Sequence, residues 1–168
     1  MKTLTLKLSL VLLFSFVLFS CSNDDDGIYF NESSEVLASD FAYSPIESEI
    51  LDLINEHRND LGLSTLKPLN IVSSTAISHT EYMIQAGHIS HDGFSERSKN
   101  LMDKANAKLV GENVAYGYSS AQGVVNGWLN SEAHKAVIEN PKYTHFGIST
   151  EACATSGRNY FTQIFINK

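Results

Sequence analysis

Gly111-Glu112-Asn113-Val114-Ala115-Tyr116-Gly117 is the stretch that decides the fold. From Val110 onward it alternates: Val110, Glu112, Val114 and Tyr116 point one way, and Asn113 and Ala115 the other, the two-residue period of a strand. Glu112 stands where an apolar neighbour of Val110 and Val114 is expected. If that face is covered, the carboxylate needs a cation, a metal or several N–H donors; if the strand lies at an edge, Glu112 can point to solvent. Asn113 is placed to bond nearby backbone.

Downstream, Ala121 to Leu129 reads as a helix, with Val124, Val125, Trp128 and Leu129 giving two i, i+4 pairs. Ser131 is a natural N-cap for a short helix carrying His134, with Val137 and Ile138 continuing its face, and Asn140-Pro141 ends it. Phe146–Glu151 and Tyr160–Ile166 form a hairpin through Thr155-Ser156-Gly157. In its last strand Phe161 and Phe165 face one side, and Tyr160, Ile164 and Ile166 the other. Apolar residues on both faces place that strand between two helical layers.

Upstream, Ser44-Pro45-Ile46-Glu47 is a capping box with proline at the first helical position. Ile50, Leu53, Ile54, His57 and Leu61 then form a helical stripe that Gly62 stops. A second helix spans about Asn70 to Ala86, with Val72, Ala76, His79 and Met83 on one face and Gly87 as C-cap. His88, His91 and Asp92-Gly93 occupy the following loop, and a shorter helix runs from about Ser95 to Ala105. The expected fold class is α+β: a three-layer α-β-α sandwich around a small central antiparallel sheet.

The ends add an address. Lys2, Lys7 and the apolar run Leu8 to Phe19 form a signal segment, residues 1–20, too short for a permanent membrane span. Leu18-Phe19-Ser20-Cys21 is similar to a bacterial lipobox, which makes Cys21 the lipidation site and the membrane the first partner. Residues 21–44 read as an acidic tether and 45–168 as the folded domain. The expected location is the cell envelope, as an outer-membrane lipoprotein with a surface-exposed option suggested by Asp24-Asp25-Asp26. The net charge of −7, more negative once the signal leaves, offers no basic patch for phosphates and excludes nucleic acid as a partner. After Cys21 only Cys153 remains, so no internal disulfide is expected, and Cys153 reads as a half-buried structural thiol.

The chemistry-bearing residues are His91, Glu112 and His134. Neutral imidazoles suit zinc or another divalent cation, and a glutamate nearby can order a water or take its proton. His91 and His134 are therefore candidate metal ligands. Surface or capping use remains open for His88, and a hydrogen-bonded core role for His134.

Taken in order, Leu53-Ile54-Asn55-Glu56-His57-Arg58, Ser90-His91, Gly111 to Gly117, the spacing of Trp128, Ser131, His134, Ile138 and Pro141, and Gln163 in the closing strand resemble the bacterial branch of the CAP superfamily. These are the cysteine-rich secretory, antigen 5 and pathogenesis-related proteins, also called SCP-like domains. The resemblance covers about residues 48–166. It implies an α-β-α sandwich with a cleft of two histidines and two acidic residues, sometimes holding zinc or another divalent ion. His91 matches the first histidine, Glu112 the first glutamate and His134 the histidine of the bacterial branch. Ser131 stands where eukaryotic members carry a second glutamate, Val137 and Glu139 also depart, and the eukaryotic disulfides are missing. Ser131 and Gln163 join Glu112 as residues around the cleft.

Three functions follow as expectations. One is a non-enzymatic extracytoplasmic binding domain taking a metal and a small, lipid-like or envelope-derived ligand. Another is a metal-assisted hydrolase, a peptidase or cell-wall enzyme, in which Glu112 is the catalytic base. The last is a structural polar network with no ligand.

Overall fold

The computed structural model describes residues 42–168, so the expectations for the signal segment, Cys21 and all but the end of the tether lie outside the described residues. Helix α1 (Pro45–Asp60) opens as the sequence predicts: the Ser44 N–H and hydroxyl both donate to the Glu47 carboxylate, at 2.8 and 2.7 Å. The other Glu47 oxygen accepts from the Thr150 N–H at 2.7 Å, tying this helix start to the sheet. The buried stripe differs from the expected one. Ile50, Ile54 and Arg58 face inward, whereas Leu61 lies past the last turn and is exposed.

A two-residue strand β1 (Lys67–Pro68) precedes α2 (Asn70–Ala86), which ends on Gly87 in the left-handed conformation (φ 75°) as expected. Helix α3 (Phe94–Ala105), strand β2 (Leu109–Tyr116), α4 (Ala121–Leu129), α5 (Glu132–Ile138), β3 (His145–Ala152) and β4 (Asn159–Asn167) follow. The sheet order is β1-β3-β4-β2. The three long strands are antiparallel, as predicted; β1 adds a short parallel edge that makes the sheet mixed.

Register divides the core. Asn113 lies opposite Gln163, and Glu112 opposite Ile164, so odd and even positions of β2 and β4 share faces. On the odd face Phe146, Ile148, Phe161 and Phe165 pack with Ile50 and Ile54 of α1, Val124, Val125 and Trp128 of α4 and Ile138 of α5. On the even face Ile164 and Ile166 pack with Val72 and Ala76 of α2 and Leu101 and Ala105 of α3. The two-faced strand is β4, and the result is the α-β-α sandwich. Gly147 permits the even layer to close: a Cβ there would strike the backbone of Val72 and Ser73, so α2 rests directly on β3.

Two polar pins fix the odd layer. Trp128 donates its indole N–H to the Val114 carbonyl at 3.2 Å. Arg58, fully buried, donates from Nε to the Ser64 carbonyl at 2.9 Å and from Nη1 to the Ile138 and Asn140 carbonyls at 2.5 and 3.1 Å. A guanidinium on the last carbonyls of α5 sits at the negative end of that helix, where cations are favoured. Arg58 thereby holds in place the helix that carries His134.

Candidate functional site

Strand β2 pairs with β4 along one side only, so it is an edge strand. Glu112 nonetheless does not reach solvent: its side chain is 1% exposed. Helix α3 and the loop before it cover that end of the even face and supply the partners. Arg97 grips the carboxylate with two bonds, Nε to Oε2 at 2.9 Å and Nη2 to Oε1 at 2.8 Å. His91 adds a third, Nδ1 to Oε1 at 2.8 Å. Arg97 is anchored in turn by Nη1, which donates to the Asp92 carbonyl at 2.6 Å. The planar guanidinium matches the carboxylate fork, the strongest neutralisation one side chain can give.

His79 of α2 completes the cluster. It is buried, with Nε2 at 2.8 Å from the Ser90 carbonyl and 3.8 Å from Glu112 Oε1. The carbonyl accepts only, so Nε2 carries the hydrogen and Nδ1 is an acceptor; Nδ1 is buried without a partner. Burial lowers the His79 pKa from its ordinary value of 6.5, against the opposing pull of the Ser90 carbonyl and Glu112.

The His91 ring is half exposed. Its bond to a carboxylate places the hydrogen on Nδ1 and leaves the Nε2 lone pair available, the orientation that a carboxylate imposes on a metal-binding imidazole. His134 comes from the other helical layer, on α5, and is half buried. Its pKa is lowered, first by burial and then by the His91 imidazole. Among the described residues, no hydrogen bond joins His134 to His91 or Glu112. Its backbone carbonyl accepts from Asn113 Nδ2 at 3.2 Å, the backbone role expected of that asparagine.

Ser131 occupies the N-cap position of α5, although its side chain makes no capping bond. Gln163 is fully buried on the odd face opposite Asn113, away from the Glu112 side chain, and both its amide atoms lack partners, as does Asn113 Oδ1. His88 is exposed at the end of α2, with Nδ1 3.1 Å from the Ala86 carbonyl. Cys153 is a free, half-buried thiol at the β3–β4 turn, its pKa lowered by hydrogen bonds from Ser156 and Thr155. Among the described residues no group of three or more His, Cys, Asp or Glu side chains is arranged to hold a metal ion.

Sequence reasoning missed Arg97 and left His79 as a helix-stripe residue. The signal was present: Arg97, Leu101 and Ala105 fall at i, i+4 and i+8, so Arg97 sits on the buried stripe of α3. A charged residue on an inward stripe calls for a buried countercharge.

A family profile described as the cysteine-rich secretory protein family, CAP, matches residues 51–165. The chain belongs to that family. It is 35% identical over 127 residues to the Bacillus subtilis membrane protein YlbC, covering 73% of this chain and 34% of the relative. It is 32% identical over 128 residues to YkwD of the same organism, covering 74% and 48%. The chain thus spans between a third and a half of the length of these curated relatives.

Among solved structures, an outer surface protein of Borrelia burgdorferi superposes with a TM-score of 0.68 at 21% identity, over 76% of this chain and 96% of that one. An extracellular SCP-domain protein of Bacillus anthracis gives 0.63 at 26% identity, over 76% and 45%. Two more distant structures share the fold and carry ions: NaASP2 with Zn2+ (TM-score 0.55, 15% identity, 75% and 82% covered) and manganese-bound Ac-ASP-7 (0.54, 12%, 78% and 73%).

Proposed function

We propose that the protein is a non-enzymatic, lipid-anchored extracytoplasmic CAP domain whose cleft at the edge of β2 binds a small ligand, with a divalent cation as an exchangeable occupant. One observation carries this reading: the bidentate Arg97 grip on Glu112. A general base must offer a free lone pair to water. Here three of the four acceptor positions are taken, Oε1 by Arg97 and His91 and Oε2 by Arg97, and the remaining one is buried beside the neutralising guanidinium, so the carboxylate is committed to holding the site together. Glu112 serves as a positioning group for His91.

The donor set fits a loosely held ion. His91 Nε2 and the imidazole of His134, kept neutral by burial, would be the protein ligands, with solvent filling the other positions and Glu112 one bond removed. Zinc is the borderline-soft ion such imidazoles suit. When bound it would supply Lewis acidity to whatever ligand shares the cleft. The envelope location rests on the lipobox at Cys21 and on relatives that are extracellular, outer-surface or membrane proteins.

Zinc titration by calorimetry tests the cleft. Wild type is expected to bind one ion, and His91→Ala and His134→Ala each to weaken it at least about tenfold; equal affinity in all three proteins overturns the metal assignment. Metal-assisted hydrolysis with Glu112 as base is the competing reading. It requires zinc-dependent cleavage of peptide or cell-wall substrates that disappears in Glu112→Ala. Anchoring requires Cys21→Ser to move the protein from the membrane to the soluble fraction.

A further inference from the structure

A groove of about 570 Å3 runs between α2 and α3, lined in part by His79 and Arg97 of the Glu112 cluster but by neither His91 nor His134. That volume is within the range of small-molecule sites. Its polar groups are biased toward acceptance. The Thr75 hydroxyl already donates to the Ile71 carbonyl at 2.8 Å, and Ser78 to the Ser74 carbonyl at 3.2 Å, leaving their oxygen lone pairs for an incoming donor. Asn100 on α3 can both donate and accept.

Charge gives an ionic ligand little to hold. Arg97 is neutralised by Glu112, and the remaining charges around the groove, Asp92, Glu96 and Lys104, are of mixed sign. The groove also has an aromatic platform. Tyr82 is 43% exposed, yet its ring is fixed from two directions. Its hydroxyl donates to Asp92 Oδ2 at 2.9 Å, and its ring stacks on His79 at 5.8 Å between centroids and 13° between planes. A fixed, solvent-facing aromatic beside a row of acceptors matches one chemistry: a molecule with an apolar C–H face and a rim of hydroxyl donors.

We propose that the groove between α2 and α3 is a binding site for a neutral oligosaccharide, stacked on Tyr82 and donating hydroxyl hydrogens to Thr75 and Ser78. The length of α2 that lines it, from Ile71 to Tyr82, spans about 16 Å at 1.5 Å per residue. That is enough for several linked sugar rings. The site is independent of the metal assignment, because its acceptors belong to the groove.

The test is NMR titration of the folded protein with maltotriose, cellotriose and triacetylchitotriose, each at millimolar concentration. At least one is expected to give saturable shifts of amides in α2 from Ser74 to Tyr82 and at Asn100. Tyr82→Ala is expected to weaken that binding about tenfold, while Tyr82→Phe, which keeps the ring, stays within about twofold of wild type. Met102→Ala, an exposed apolar change on α3 outside the groove, should leave it unaltered. The proposal is overturned if none of the three sugars produces a saturable shift, if the shifts centre on His91 and His134, or if Tyr82→Ala binds as wild type does. Zinc affinity measured on the same samples separates this outcome from that of the cleft.

Discussion

Glu112 and Asn113 are consecutive residues of one strand, both buried, and their surroundings are opposite. On the even face the Glu112 carboxylate has every oxygen engaged, by Arg97 and His91. On the odd face Asn113 Oδ1 and both amide atoms of Gln163, its partner across the ladder, have none. An unpaired buried ion costs several kcal/mol, so a fold must bring its own countercharge; a neutral amide costs less and can be satisfied by a water with two to four polar partners. The Glu112 carboxylate therefore has its charge matched, with His79 Nδ1 the unpartnered atom nearby, and the odd face has spare hydrogen-bonding capacity next to the Asn113 bond to the His134 carbonyl.

The largest effect expected from this contrast comes from breaking the even face. Arg97→Ala leaves the buried Glu112 carboxylate without its cation, with only the His91 N–H as partner, and should cost about 3–5 kcal/mol in urea unfolding. Replacing both partners, Arg97→Met with Glu112→Leu, should recover most of that loss, because the charges then leave together. A double variant no more stable than Arg97→Ala would show that the guanidinium acts mainly through packing.

Acid should weaken both faces. His79 on the even face, His134 on the odd face and His145 at the start of β3 all have pKa values lowered mainly by burial. The unfolded chain then binds these protons more readily than the folded one. Their contribution is fully present above the ordinary imidazole value, about 6.5, and is lost as pH falls through the lower folded values. Urea midpoints should fall between about pH 7 and pH 5, and His79→Gln should flatten part of that slope. A midpoint that rises on acidification would contradict the assignment of neutral buried rings.

The smallest effect should come from the odd face. Gln163→Met keeps the shape and removes two unpartnered polar atoms, so stability should change by less than about 1 kcal/mol, in either direction. A loss near that of Arg97→Ala would mean that the amide is bonded through ordered solvent and that the two faces are equally committed.

Most of the scaffold was legible because its signals are local. The α2 stripe and Gly87 fixed that helix at both ends, and the alternation of Phe161 and Phe165 against Ile164 and Ile166 located the doubly covered strand. Strand β1 escaped because two residues, one of them proline, carry no period. In α1 the exposed Leu61 drew attention from Arg58, which holds the inward position on carbonyls rather than carboxylates. The site was legible only in part. His91 and Glu112 were both singled out, and they touch; the guanidinium that governs the chemistry of Glu112 lies fifteen residues away on another element, where spacing alone does not announce a pair.

The position of β2 at the margin of the sheet has one more consequence. An edge strand invites a second chain to add along its unpaired flank, and covering that flank is among the devices that discourage such addition. Gly111 to Ala115 are all buried, and the Val114 carbonyl accepts from the Trp128 indole, so little of the middle of β2 is offered to another chain. The packing that shapes the site thus also opposes self-association through β2.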